Sequence, residues 1–89
     1  MIDYEIGWAA PARRALARLP EKVAPAAVEF IYGSLAAQPR RIGKELRLEL
    51  AGLYSARRGA YRVIYSIDDE ANHIVIQAIE HRSDVYRPR

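Results

Sequence analysis

One stretch constrains this chain more than any other: Ala60-Tyr61-Arg62-Val63-Ile64-Tyr65-Ser66-Ile67. Its β-branched and aromatic side chains lose rotamer freedom in a helix and pack well on a pleated surface. A strand is predicted here. Arg58-Gly59 just before it forms a tight turn, with Gly59 able to take positive φ. Leu53–Arg57 upstream is a second strand that the turn folds back onto the first. Asp68-Asp69-Glu70-Ala71-Asn72 makes a polar turn on the other side. His73-Ile74-Val75-Ile76-Gln77-Ala78-Ile79 follows and is nearly all apolar. That pattern belongs to a strand covered by neighbours on both sides.

The first half of the chain reads differently. Asp3 to Gly7 alternates polar and apolar residues, as a short strand does. Pro11 fits the first turn of a helix, and Ala12, Ala15, Leu16 and Leu19 then share one helical face. Arg13, Arg14 and Arg18 lie off that face and read as a solvated surface. Pro20-Glu21 can open a second helix with an apolar stripe of Val23, Ala27, Phe30, Ile31 and Leu35. Pro25 conflicts with that start, because it lacks an N–H for the Glu21 carbonyl. The helix therefore begins later or kinks at Pro25. Gln38-Pro39 ends it. Leu46, Leu48 and Leu50 then alternate with charged residues. The order is β-α-α-β-β-β: an α+β domain with a small, mainly antiparallel sheet and a helical hairpin packed on one face. Residues 1–89 are read as one domain, without repeat or linker.

Charge distribution narrows the function. The net charge is +3. Between residues 40 and 65 the basic residues are Arg40, Arg41, Lys44, Arg47, Arg57, Arg58 and Arg62, against Glu45 and Glu49 only. A concentrated positive field favours a polyanion, either nucleic acid or an acidic protein partner. There is no cysteine, which excludes disulfides, a thiolate metal site and thiol catalysis, and suits the reducing cytoplasm. No stretch is long and apolar enough to span a bilayer, and Met1-Ile2-Asp3-Tyr4-Glu5 reads as a strand start rather than a leader. His73 and His81 lack metal-ligand spacing, and Asp68-Asp69-Glu70 reads as a solvated turn. No metal or cofactor is expected.

The remaining constellation suits RNA. Cleavage without a metal requires a base for the 2′-hydroxyl, an acid for the leaving 5′-oxygen and cations around the phosphate. Arg57, Arg58 and Arg62 can supply the cations, with Lys44 and Arg47 extending the basic surface. Strand alternation turns Arg62 away from Tyr61, Val63 and Tyr65. It must meet water, an anion or a carboxylate, and a salt bridge to a nearby acid is one of those outcomes. His81 carries the imidazole beside this region and serves either structure or proton transfer. Tyr86 serves either as an anchor for the tail or, with its pKa lowered by arginines, as a base.

Gly52-Leu53-Tyr54-Ser55-Ala56-Arg57-Arg58-Gly59-Ala60-Tyr61-Arg62-Val63-Ile64-Tyr65 resembles the core of the RelE/ParE toxin superfamily. His81-Arg82-Ser83-Asp84-Val85-Tyr86-Arg87 resembles the end of that pattern, and Leu19-Pro20 and Pro39–Leu46 match it upstream. The resemblance covers nearly the whole chain. It implies the toxin of a type II toxin–antitoxin system, with an antitoxin whose acidic or amphipathic segment wraps the basic surface. In the RelE branch it implies a ribosome-dependent endonuclease acting on mRNA. Arg62 would then steady the phosphate, Tyr86 would take the 2′-hydroxyl proton, Arg57 would add charge, and Arg82 or His81 would serve the leaving group. Two positions depart from the pattern. Well-studied RelE-type sites carry two lysines where Leu53 and Ser55 stand here, and an arginine often assigned as the acid aligns with Glu80. The ParE branch, which inhibits DNA gyrase without nuclease activity, is the alternative. A remnant that has lost activity and survives as a repressor component is a third.

Overall fold

The computed structural model describes residues 3–82. Strand β1 (Glu5–Trp8) is followed by helices α1 (Ala10–Arg18) and α2 (Val23–Phe30). A wider π turn over Ile31–Leu35 leads to a one-turn helix α3 (Pro39–Ile42). Strands β2 (Lys44–Glu45), β3 (Leu53–Arg58), β4 (Tyr61–Asp68) and β5 (His73–His81) complete the chain, with a 3-10 turn at Leu48–Leu50 between β2 and β3. The five strands lie in the order β1-β5-β4-β3-β2. β1 runs parallel to β5, and every other pair is antiparallel.

Local chemistry sets the helix ends. Proline stands in the first turn of α1, where its missing N–H is harmless. Leu19 turns extended before Pro20, as a residue preceding proline prefers, and ends the helix. The conflict at Pro25 is resolved by a late start: α2 begins at Val23, so Pro25 falls in the first turn, where no intrahelical donor is needed.

The two longer helices cover one face of the sheet. Ala12, Leu19, Ala27, Phe30, Ile31 and Leu35 pack there against Tyr54, Ala56, Tyr61, Val63, Tyr65, Ile74, Ile76 and Ile79. Alternation along β4 follows the expectation: Tyr61, Val63 and Tyr65 are buried while Arg62 is exposed. In β5 the alternation slips by one residue at an irregularity opposite Ile64/Tyr65, so Ile76 and Ile79 both face the core.

Three details were not expected from the sequence. Pro39, read as a stop, also starts α3. A short strand that was not read from the sequence, β2, forms at Lys44–Glu45, and Leu48 beyond it sits at φ 58 with 90% of its surface exposed. The β3–β4 loop is Gly59-Ala60, one residue later than read, with positive φ at Gly59.

α3 is held at its first two residues. The fully buried Tyr65 donates its hydroxyl to the Pro39 carbonyl at 2.6 Å, and burial pushes that phenol up to about 12. Arg40 pairs with Asp69 and donates to the Tyr54 hydroxyl, and Tyr4 donates to Asp69 at 2.7 Å. The Tyr4 hydroxyl, then Arg40, hold the Asp69 carboxyl below its ordinary value of 3.8. A depressed carboxylate stabilises the fold above its unfolded value, and that contribution disappears as pH falls through the folded value. Thermal unfolding followed by circular dichroism should therefore show a midpoint that falls below about pH 4. The Asp69→Asn variant should start lower and show a flatter acid dependence.

Candidate active site

The functional groups lie on the sheet face opposite the helices. Antiparallel register sets Arg57 on β3 against Arg62 on β4, and Arg62 against Glu80 on β5. These three residues form a row across neighbouring strands, which are spaced about 4.8 Å apart. Arg82 lies just past β5, where its N–H donates to the Ala60 carbonyl at 2.7 Å. Arg57, Arg62, Glu80 and Arg82 line one shallow cleft of about 270 Å3, closed at one end by the Gly59-Ala60 turn.

Arg62 makes the salt bridge that its position allowed. Its Nε donates to Glu80 Oε1 at 2.5 Å, with both side chains a little under half exposed. An ion pair this exposed holds geometry more than it holds the fold together. Three guanidinium groups around one carboxylate leave the cleft cationic, and forked N–H donors match phosphate oxygens.

The other candidates separate. Arg58 pairs with the buried Tyr61, lies 4.8 Å over the Phe30 ring on the helix side, and is not part of the cleft. A second hollow of about 570 Å3 lies there, between α2 and the β3–β4 turn. The Tyr61 hydroxyl is buried with no hydrogen-bond partner among the described residues, and burial raises its pKa against the pull of Arg58. His81 is the register partner of Tyr61, so strand alternation points it to this side rather than towards Arg62. Lys44 and Arg47 are exposed around the far edge, with Lys44 opposite Ser55. Tyr86 lies outside the described residues.

The two lysine-replacing positions fall next to the cleft. Ser55 and Leu53 follow Arg57 on the same face of β3, opposite Ile64 and Ser66. On this face of β3 positive charge is thus confined to Arg57 near the Gly59-Ala60 turn, and Lys44 on β2 is the cation beside Ser55. Glu80 entered the sequence reading only as a departure from the family pattern, and its contact with Arg62 was not read. An acid was expected beside Arg62, but its position depends on the β4–β5 register and its one-residue slip, which no local pattern announces.

A helical hairpin thus covers one sheet face, and an arginine-lined cleft occupies the other. The chain belongs to the RelE/ParE toxin family: residues 6–86 match the model described as the ParE toxin of the type II toxin-antitoxin system, parDE. Toxin RelG of Mycobacterium tuberculosis is 50% identical over 86 residues, covering 97% of this chain and 99% of the relative. Toxin RelE of the same organism is 52% identical over 84 residues, covering 94% and 87%. Among solved structures, the M. tuberculosis toxin–antitoxin complex RelBE2 superimposes with a TM-score of 0.89 at 48% identity, covering 91% of this chain and all of the matched one. The relatives place the chain with toxins of RelBE systems.

Proposed function

We propose that this toxin is a ribosome-dependent mRNA endonuclease that halts translation by cutting the message through its own 2′-hydroxyl. The observation that carries the reading is the Arg57, Arg62, Arg82 cluster in one cleft on the open face. A scissile phosphate seated there gains charge in the transition state, where fixed guanidinium donors stabilise it most. The 2′-oxygen attacks phosphorus and the P–O5′ bond breaks, leaving a 2′,3′-cyclic phosphate. Tyr86 takes the 2′-hydroxyl proton in this scheme, as the family resemblance implies. Arg82 serves the departing 5′-oxygen in preference to His81, because Arg82 lines the cleft and His81 aligns with the opposite face.

The partners are the ribosome with its mRNA and a cognate antitoxin. The RelBE2 relative was solved as a toxin–antitoxin complex, which supports a hetero-oligomer here. An acidic or amphipathic antitoxin segment complements the basic surface by charge and by apolar burial.

A second reading has an observation of its own. Leu53 and Ser55 leave much of the open face neutral, as a gyrase-binding ParE-type toxin without nuclease activity would tolerate. Expressing the chain without an antitoxin separates the two. The nuclease reading expects growth arrest with new 5′ ends inside translated messages, and arrest and cuts alike lost in Arg62→Ala and reduced in Tyr86→Phe. DNA breaks and an SOS response with intact mRNA would support the gyrase reading instead. Undiminished cleavage by both variants would overturn the assignment of the site.

A further inference from the structure

We infer that Glu80 is a positioning residue: it holds Arg62 by Nε and leaves the terminal Nη edge of that guanidinium facing a phosphodiester in the cleft between Arg57 and Arg82. The inference rests on the ribonuclease reading for the identity of that phosphodiester. Its basis is the geometry of the row. Arg57 and Arg62 stand directly opposite each other on β3 and β4. Like charges so placed repel, which would swing an unrestrained Arg62 about its long stem. Glu80 stands on the other flank of Arg62 and takes one donor only, Nε to Oε1. Among the described residues no other group bonds to the Arg62 guanidinium. Both Nη groups, with four N–H donors in one plane, therefore remain for a ligand.

The alternative role for a carboxylate among three arginines is a plug that occupies the phosphate's place. The bond pattern favours the holder. A plug would engage the Nη fork that a phosphate needs, whereas the Nε contact leaves that fork open. A planar guanidinium fixed at one edge presents the other edge in a defined direction.

Two variants and two readouts test this on the full-length chain. Glu80→Gln keeps a carbonyl oxygen that accepts from Nε, whereas Glu80→Ala keeps nothing. In single-turnover cleavage of mRNA on programmed ribosomes, Glu80→Ala should lose on the order of 10- to 100-fold in rate at saturating ribosome. Its apparent affinity should be unchanged or tighter, since one negative charge has left the cleft. Glu80→Gln should stay within about threefold of the parent rate. The second readout needs no cleavage: the Arg62 guanidinium NMR signals, with and without an all-2′-deoxy oligonucleotide. In the parent, the oligonucleotide should move the Nη signals and leave the Nε signal in place. In Glu80→Ala it should move both.

Each outcome decides something. A parent that cuts, with Glu80→Ala as fast or faster, overturns the positioning role while the ribonuclease reading stands. Equal losses in Glu80→Gln and Glu80→Ala also overturn it, because the charge and not the hydrogen bond would then matter. A parent that cuts no mRNA but shows the expected NMR pattern overturns the ribonuclease reading and supports the positioning role. A parent Nε signal that shifts on oligonucleotide binding shows Glu80 displaced and identifies it as a plug.

Discussion

Replacing Arg62 with alanine should lower mRNA cleavage by about 100- to 1,000-fold, the range seen when one fixed transition-state donor is removed. Arg62 is the central member of the row, with Arg57 on one side and Glu80 on the other. Its loss removes the one cation on the central strand and leaves Glu80 with no arginine opposite. Two arginines then remain against one carboxylate where three stood before, so binding weakens as well as catalysis. Stability should change little. The Arg62–Glu80 pair is nearly half exposed on both sides, and pairs of that kind contribute at most about 1 kcal/mol. The unfolding midpoint should therefore move by no more than about 8 °C. Rate and midpoint measured on the same preparation check the prediction. A variant that loses activity only because it has unfolded would not meet it.

Replacing Gly43 with alanine should do the reverse, reducing stability with no direct contact to the cleft. Gly43 joins α3 to β2 and has an ordinary negative φ, so room rather than backbone freedom makes it glycine. A Cβ there would overlap the Tyr65 hydroxyl and come within 3.1 Å of the Ser55 carbonyl oxygen. Tyr65 cannot step aside: it is fully buried, its ring stacks on Tyr54 with centroids 5.7 Å apart, and its hydroxyl is bonded to Pro39. Overpacking costs about 1–3 kcal/mol, and a broken buried hydrogen bond adds about 1 kcal/mol or more. A loss of about 2–4 kcal/mol follows, or roughly 10–30 °C in the midpoint for a domain of this size. A double-mutant cycle identifies the cause. Tyr65→Phe alone should destabilise by removing the buried bond to the Pro39 carbonyl, which keeps only the longer 3.4 Å contact from the Gly43 N–H. Added to Gly43→Ala, it removes the clashing oxygen, so the double variant should lose less than the two single losses together. Simple additivity would show that the strain lies elsewhere.

Comparing these residues shows why some features could be read from the sequence and others could not. β4 and β5 announced themselves because burial on one face leaves a local pattern in β-branched and aromatic residues. The α1 stripe did so for the same reason at helical spacing, and Ala12 and Leu19 are buried as expected. The family pattern carried the toxin assignment. α3 and β2 left little local trace. They depend on Tyr65, Asp69 and Tyr54, which are distant in sequence and hold Pro39 and Arg40 in place. The Leu46–Leu50 alternation extends into no strand, because a strand needs a partner and β3 pairs only with Lys44 and Glu45 there. In the site, the outward face of Arg62 could be read from alternation, but its pairing with Arg57 could not, because the turn lies one residue later than read. The Glu80 contact could not, because it depends on a register that slips by one residue midway along β5. For the same reason His81 and Arg82, adjacent in sequence, could be assigned to different sides only with the sheet in view.

The parallel pairing of β1 with β5 also has a consequence for the time at which this protein becomes dangerous to its maker. Among the described residues β1 precedes the other strands, yet its one partner in the sheet is β5, the last of them. The row of Arg57, Arg62 and Glu80 likewise spans three consecutive strands, the final one included. During synthesis the N-terminal strand and helices emerge with nothing to close against, and the cleft lacks one wall until β5 has left the ribosome. A partly made chain therefore carries the arginines without the arrangement that aims them. The cleft is assembled only when β5 pairs with β4, so the surface an antitoxin would block forms after the arginines of β3 and β4 have already been made.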